Sequence, residues 1–273
     1  MAHILLPTDF SDNAFQAGTY AVRLFGTEDN VFTLVHAYMD VAPSTDPWPG
    51  VSEEFYKAAM DGMSEWAERV KSSKDFIGAE VRSEVLYGPF PDMLNQIGKE
   101  KAADIVVMGT LGSAGAGFLG SNAGEVVKRS ILPVLVIPDK ADQRPVARIL
   151  YADDDRRVEV AGTRMLLRIA LLTKAEIVLA HVLKDADDVP DPELVAMHEE
   201  LFQAIPHRFT SAEGSDIAAA IDLLADQEKA DMVAVVHRHS GFLEGLFHTS
   251  TAKRLALYTN LPLLVLQHMD SKQ

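Results

Sequence analysis

The feature that most constrains the fold of this chain is an internal repeat within its 273 residues. Four short apolar segments of the first half recur in the same order in the second half, at offsets from 127 to 145 positions. The pairs are Ile4–Asp9 with Arg148–Asp153, Val31–Ala37 with Ile177–Val182, Ala103–Met108 with Ala230–Val235, and Leu132–Ile137 with Leu261–Leu266. Because four matches in one order are hard to obtain by chance, the sequence indicates two homologous halves.

Each half alternates short apolar runs with amphipathic stretches. The runs are rich in Val, Ile and Leu, which is typical of strands buried on both faces of a parallel sheet. The stretches between them have helical spacing, and Ser11 is a candidate N-cap for the first. Further predicted helices cover Ser52–Lys71, Asp92–Glu100, Ala123–Arg129, Val158–Leu172, Pro192–Gln203, Ser215–Gln227 and Thr251–Tyr258. The alternation predicts an α/β fold of two tandem doubly wound parallel-sheet domains, residues 1–140 and 146–273, joined by a proline-containing linker.

The composition excludes several classes of protein. There are 25 Lys and Arg against 40 Asp and Glu, so the formal charge is −15, which disfavours a nucleic acid or an anionic membrane as partner. The absence of cysteine excludes disulfide scaffolds, thiolate zinc sites and a cysteine nucleophile. With no apolar run long enough to span a bilayer and no signal-peptide pattern, we expect a cytoplasmic protein without a membrane partner.

Two predicted loops lie where an open α/β sheet binds its ligands, at the carboxyl ends of the strands. Asp9 directly follows the first strand, and the segment Gly109–Asn122 follows the fourth with five glycines in fourteen residues. Glycine lets a backbone approach a ligand closely, and the free N–H groups at the start of the next helix favour a phosphate. The alternative interpretation is a flexible glycine-rich connection that binds nothing.

Together with the closing segment Pro133–Pro138, these motifs resemble those of the universal stress proteins. The resemblance covers nearly the whole chain as two tandem domains, and it implies the adenine nucleotide alpha hydrolase-like fold. ATP-binding members of that family carry G-x2-G-x9-G-[S/T] after the fourth strand. The resemblance implies that the acid after the first strand lies by the adenosine and that the glycine loop holds the phosphates and ribose. The expected cofactor-binding residues are Pro7, Thr8, Asp9, Gly109, Gly112, Gly120, Ser121 and Asn122.

The chain departs from the family pattern in both halves. Seven residues separate Gly112 from Gly120, where the family pattern has nine. In the second half the glycine positions become Val236, His239 and Thr249, whose side chains would occupy the space that a phosphate or ribose needs. Asp153 keeps the acid after the first strand. We interpret the second half as a degenerate domain retained for packing.

Three functions are compatible with the sequence. The first is a universal stress protein that binds an adenine nucleotide, ATP with Mg²⁺, in its N-terminal domain and regulates an unknown protein partner according to energy state. The alternative is a nucleotide-free interaction module in the stress response. The third is an enzyme, either a weak ATPase or a metal-dependent hydrolase using His237 and His239. No P-loop, Ser-His-Asp order or nucleophile-elbow pattern is present, so we assign no catalytic residue and no metal ligand.

The closing strands predict how the two halves associate. The resemblance implies pairing through the final strand, and Val134–Ile137 and Leu263–Leu266 supply two such strands in one chain. We therefore expect an intramolecular domain pair related by a pseudo-two-fold axis, with a homodimer of the chain as an open alternative. His36 and His181, which end matching strands, are interpreted as half-buried groups that form local hydrogen bonds.

Overall fold

The computed structural model describes residues 1–39, 53–110, 121–152, 160–183, 191–214, 216–237 and 261–268. The chain divides into two compact units, Met1–Leu132 and Pro133–Gln273. In the described part of the chain, no helix is both long enough and apolar enough to cross a membrane.

The first unit is a parallel sheet with the strand order β3-β2-β1-β4. Its strands are β1 Ala2–Pro7, β2 Asn30–Tyr38, β3 Glu80–Tyr87 and β4 Ile105–Gly109. Its helices are α1 Asp12–Phe25, α2 Glu53–Ser72, α3 Phe90–Glu100 and α4 Ser121–Arg129, with a 3₁₀ turn at Lys74–Phe76. β1 is almost wholly buried, and so are the first six residues of β2, as their apolar runs predict.

Local sequence signals set the start of α1. The Ser11 hydroxyl accepts a hydrogen bond from the backbone N–H of Ala14 at 3.2 Å, which caps the helix at the residue predicted for this role. The apolar stripe of α1 packs on β1 and β4 and buries Ala17, Ala21 and Phe25. As a result, the turn between β1 and α1 lies at the carboxyl edge of the sheet.

The second unit repeats this plan with β6 to β9 and adds two strands, β5 and β10. Its sheet order is β5-β10-β9-β6-β7-β8. Its strands are β5 Val134–Ile137, β6 Arg148–Ala152, β7 Glu176–Leu183, β8 His207–Glu213, β9 Met232–His237 and β10 Leu263–Gln267. Its described helices are α5 Val160–Thr173, α6 Pro192–Phe202 and α7 Ile217–Gln227. The pairs among β6 to β10 are all parallel.

The closing strands β5 and β10 pair with each other, as predicted. Their pairing is antiparallel, with Leu264 opposite Leu135 and Val265 opposite Val134. Every residue of β5 is buried. Because β10 pairs with β5, it covers one backbone edge of this strand. The predicted α/β fold with mostly parallel strands is confirmed in both units. The predicted helix Thr251–Tyr258 lies outside the described residues.

Candidate functional site

The carboxyl end of β1 is anchored to β2 on both sides of Thr8. The backbone N–H of Thr8 donates to the Val35 carbonyl at 2.9 Å. The His36 ring nitrogen Nδ1 lies 2.9 Å from the Thr8 carbonyl oxygen, to which it donates. The predicted local hydrogen bond of the half-buried His36 is therefore confirmed. Its consequence is that the chain leaves β1 in one defined direction.

Side chains also fix the turn that follows β1. The Thr8 hydroxyl accepts from the Phe10 N–H at 2.9 Å, and the Asp9 carboxylate accepts from the Ser11 N–H at 3.2 Å. Phe10 has a positive φ of 65°, a conformation that L-residues adopt at a cost. Its ring packs against the His36 ring with centroids 4.4 Å apart and planes tilted by 31°, which holds the turn in place. The half-buried Asp9 is thus presented at a rigid position.

Gly109, at the end of β4, lies directly against this turn. A Cβ atom built on Gly109 would come within 2.0 Å of the Asn13 side-chain oxygen Oδ1 and 3.1 Å of the Asn13 carbonyl oxygen. Asn13 is buried in the first turn of α1, so it has little room to move away. The adjacent β1 and β4 therefore bring Asp9 and Gly109 to one edge of the sheet, and only glycine fits at residue 109.

The remaining predicted residues belong to the segment between β4 and α4. The strand ends at Gly109 and the helix begins at Ser121, so the glycine-rich segment does connect a strand end to a helix start. Ser121 and Asn122 are the first two residues of that helix. Gly112 and Gly120 lie outside the described residues. The first turn of α4 contains no acidic residue, whereas Lys128 and Arg129 occupy its last turn.

Sequence reasoning missed two residues of this edge. Asn13 forms the surface against which Gly109 packs, and Thr110, directly after β4, is 3% exposed. The sequence signal available for Asn13 is an asparagine two positions after a predicted N-cap, because asparagine has low helix propensity. Gly109, which packs against Asn13 and is 96 positions away, carries no signal that would identify this contact.

The corresponding edge of the second unit is described only in part. β9 ends at His237, which is 8% exposed, and the His237 carbonyl accepts from the His268 N–H at 3.1 Å. Asp153, His239 and Thr249 lie outside the described residues. Among the residues that the structure describes, no three His, Cys, Asp or Glu side chains are grouped to hold a metal ion.

The described side chains with the most altered pKa values lie on β8 and α7 and just beyond α7, in the second unit. A hydrogen bond from Arg208 lowers the pKa of Glu228, against burial, which raises it, and Thr210 donates to the same carboxylate at 2.8 Å. Arg208 also pairs with Glu176 at 3.1 Å. These groups form an ion network between neighbouring elements, which is a structural role.

A second ion pair involves the imidazole of His207. Burial lowers the pKa of His207, but the Ile205 carbonyl and the Glu199 carboxylate, 3.0 Å from Nε2, together raise it above its ordinary value. Burial raises the pKa of Asp222, and the neighbouring charge of Asp226 adds to this effect. Neither group lies on the strands or turns that form the predicted cofactor site.

Comparison with known proteins gives the same result for both halves. The model of the universal stress protein family matches residues 1–138 and again residues 145–267. A universal stress protein of Methanocaldococcus jannaschii is 30% identical over 141 residues, which are 49% of this chain and 80% of that protein. A universal stress protein of Thermus aquaticus is 32% identical over 139 residues, 49% of this chain and 96% of its own length.

A solved structure resembles the chain over nearly its whole length. The crystal structure of a universal stress protein from Archaeoglobus fulgidus superposes with a TM-score of 0.72, covering 99% of this chain and 97% of that one. The two sequences are 19% identical, so this likeness concerns the fold.

Proposed function

Since this chain belongs to the universal stress protein family and carries two of its domains in tandem, we propose that its N-terminal unit binds an adenine nucleotide. The nucleotide is ATP with Mg²⁺, and its binding changes contacts with a protein partner instead of driving turnover. The proposal uses the residues that resemble the family's motif, from Pro7 to Asp9 and from Gly109 to Asn122.

One observation carries this proposal: the close packing of Gly109 on Asn13 at the ends of two adjacent parallel strands. It joins the Asp9 turn to the beginning of the glycine-rich segment, although the two are a hundred positions apart. The carboxyl ends of the strands of an open α/β sheet are the usual ligand-binding edge. Asp9 and Gly109, one residue from each half of the family's motif, therefore lie at the same edge of the sheet, which supports the proposal.

The charges at this edge give the nucleotide a direction. The Asp9 carboxylate repels phosphate but accepts hydrogen bonds, so it suits the adenosine end. The amino end of α4 carries partial positive charge and no acidic residue in its first turn, so it suits the phosphates. With a formal charge of −15 on the chain, Mg²⁺ offsets part of the repulsion between the protein and a triphosphate.

The experiment is calorimetry of the full chain with Mg²⁺-ATP and two matched variants. Gly112→Val places a branched side chain where the loop backbone has to meet the ligand. It should weaken binding by at least about 2 kcal/mol, roughly thirtyfold, as overpacking does. His239→Val, the corresponding position of the second half, should leave affinity unchanged.

The outcomes separate the competing interpretations. Equal losses of affinity in the two variants, or a loss only with His239→Val, would show that we have assigned the site to the wrong half. If the unaltered chain gives no heat with ATP, ADP or AMP, the loop that is two residues shorter than the family pattern does not hold a nucleotide. The protein would then be a nucleotide-free interaction module. Hydrolysis measured with the same samples tests the weak ATPase.

A further inference from the structure

The strand β3 is the outermost strand of the first unit's sheet, and β2 is its described ladder partner. The Gly88 N–H, directly after β3, donates to the Tyr38 carbonyl of β2 at 3.0 Å. Backbone groups of successive residues in a strand point to opposite sides, so the even-numbered residues of β3 point to β2 and the odd-numbered ones, including Ser83, point outward. The outer edge of β3 therefore offers N–H and C=O groups to a further strand.

Exposed apolar side chains lie beside this edge, on the side of the sheet that α2 covers. The centroid of the Tyr38 ring is 5.4 Å from that of Tyr87 on β3 and 6.3 Å from that of Tyr56 on α2. Tyr87 is 47% exposed, Tyr56 is 49% exposed, and Met60, about one helical turn after Tyr56, is 42% exposed. Aromatic and methionine side chains are enriched in protein–protein interfaces, so this group indicates a surface that another protein covers.

The opposite side of β3 carries charges in an order that complements itself. The side chains of Glu80, Arg82 and Glu84 alternate in sign along this face. The Glu80 carboxylate accepts from the Arg82 Nε at 2.9 Å, and the Lys101 Nζ lies 2.9 Å from the Glu84 carboxylate. When two copies of β3 pair antiparallel with Ser83 opposite Ser83, each Arg82 faces the Glu84 of the other copy. Both internal ion pairs then continue into one row of alternating charges across the two strands.

Charge distinguishes this register from the neighbouring ones. A shift of two residues in one direction sets Arg82 opposite Arg82 and Glu80 opposite Glu84. The same shift in the other direction sets Glu84 opposite Glu84, and like charges directly opposite each other are destabilising. A shift of four residues sets Glu80 opposite Arg82, but it leaves only three residues of each β3 paired. The Ser83-centred register is therefore the favourable one.

The backbone of β3 suits the same register. It pairs seven residues of each strand, from Glu80 opposite Leu86 to Leu86 opposite Glu80. Val81 faces Val85 of the other copy, and these two residues and Ser83 are the ones whose backbone groups point outward. An antiparallel ladder requires such outward-pointing residues at its hydrogen-bonded pairs, and the charged pairs then fall at the non-hydrogen-bonded pairs, where side chains are closest.

The spacing of the helices agrees with this pairing. The helix α2 packs on both β2 and β3, and a two-fold axis through the strand pair brings the second copy of α2 to the same side of the joined sheet. Neighbouring strands are about 4.8 Å apart, so two helices that each cover a β2–β3 pair lie about 10 Å apart. Packed helices have axes 8–10 Å apart, so the two copies of α2 meet, with Tyr56 and Met60 beside the contact.

We propose that β3 and α2 form the interface of a homodimer, in which two copies of this chain join their sheets edge to edge. The partner is a second copy because β3 matches its charges, its apolar residues and its outward backbone groups to itself under two-fold symmetry. The surface is different from that of the closing strands β5 and β10, which pair within the chain. The proposal does not depend on the nucleotide proposed for the first unit.

The first experiment is sedimentation equilibrium of the full chain between about 1 and 100 μM at roughly 0.15 M salt. The apparent mass should rise with concentration from 29.8 kDa toward twice that value. A chain that stays monomeric over the whole range would overturn the proposal.

Two matched proline variants locate the interface. Ser83→Pro removes an outward N–H and places a ring on the open edge, while the ladder to β2 is kept, so the dimer should weaken at least about tenfold. The control is Ser211→Pro on β8, the outermost strand of the second unit. Ser211 also points outward, because the Gly214 N–H donates to the Leu183 carbonyl of β7 at 3.0 Å. The control should leave the dimer unchanged, and a dimer weakened only by Ser211→Pro would refute the assignment to β3.

A pair of charge variants keeps the test decisive if Ser83→Pro fails to fold, which circular dichroism detects. Arg82→Glu and Glu84→Arg each set like charges opposite each other twice, so each should weaken the dimer at least about tenfold. An equimolar mixture of the two variants should dimerise about as tightly as the unaltered chain, because the facing positions 82 and 84 again carry opposite charges. A mixture that associates no more tightly than the single variants would contradict the register and overturn the proposal.

Discussion

Gly109→Ala is the substitution that most directly tests the geometry of the nucleotide edge. The added Cβ would lie 2.0 Å from Asn13 Oδ1, 2.6 Å from Asn13 Cγ and 3.1 Å from the Asn13 carbonyl oxygen. The first two separations are far inside van der Waals contact. Asn13 is only 5% exposed, so its side chain has to be displaced within a packed region, or the strand end has to move.

The magnitude follows from these contacts. Overpacking of this kind costs about 1–3 kcal/mol, and the clash with two side-chain atoms and nearby backbone places this variant in the upper half of that range. For a chain of this size each kcal/mol lowers the melting temperature by about 2–4 °C, so a fall of roughly 4–12 °C is expected. A weaker affinity for Mg²⁺-ATP should accompany it, because the Asp9 turn shifts with Asn13.

The assay is thermal and urea unfolding followed by circular dichroism, with Gly124→Ala as the matched control. A Cβ on Gly124, within α4, meets nothing within 4 Å. The same substitution there should therefore stabilise the helix by about 0.5–1 kcal/mol, since alanine has the higher helix propensity. The two Gly-to-Ala changes are thus predicted to have opposite signs.

A double-mutant cycle identifies the contact responsible. In the Asn13→Ala background the two closest atoms are gone, so Gly109→Ala should cost at least about 1 kcal/mol less than in the unaltered chain. A neutral Gly109→Ala would refute the close approach. Additive effects of the two substitutions would show that the strain arises from another neighbour.

Three further predictions concern the second unit and the strand pairing. The raised pKa of His207 means that its ion pair with Glu199 stabilises the fold fully below about pH 6.5. This stabilisation is lost as the pH rises through the folded-state pKa, so Glu199→Gln should flatten the dependence of the urea unfolding midpoint on pH. The pKa of Glu228 is lowered, so its pH dependence is the reverse of that of His207. Its contribution to the stability of the fold is complete above about pH 4.5 and is lost on acidification. Glu228→Gln should cost about 1 kcal/mol at pH 7 in urea unfolding, because Arg208 is 39% exposed and solvent screens the pair. Residues 1–140 expressed alone carry β5 without β10 and should dimerise or aggregate; a monomer in sedimentation would contradict this.

The parts of the fold that depend on local pattern could be predicted from the sequence. Buried parallel strands such as Ile105–Gly109 are continuous apolar runs, and Ser11 is a polar cap before an amphipathic stretch, so neighbouring residues carry the information. The order of elements follows from such runs and from the repeat. The pairing of β5 with β10 could be predicted only through the family resemblance.

The details of the candidate site depend on contacts between distant residues. The approach of Gly109 to Asn13 depends on how α1 packs on β4, which no local pattern specifies. The positive φ of Phe10 is likewise imposed by the hydrogen bonds of the turn and by the packing of its ring on His36. The space of about 330 Å³ between the strands β6 to β8 and the helix α6 could not be predicted, because it depends on which side chains leave volume unfilled.

The antiparallel pair of β5 and β10 has a consequence for biosynthesis. β5 ends at Ile137 and its partner begins at Leu263, so about 125 residues are translated between them. At roughly 5–20 residues per second, the strand leaves the ribosome about 6–25 seconds before its partner exists. During that interval a fully apolar strand, Val134–Ile137, has one backbone edge without its native neighbour. Until its last strand is made, the nascent chain therefore carries an apolar strand edge that is open to pairing with another chain.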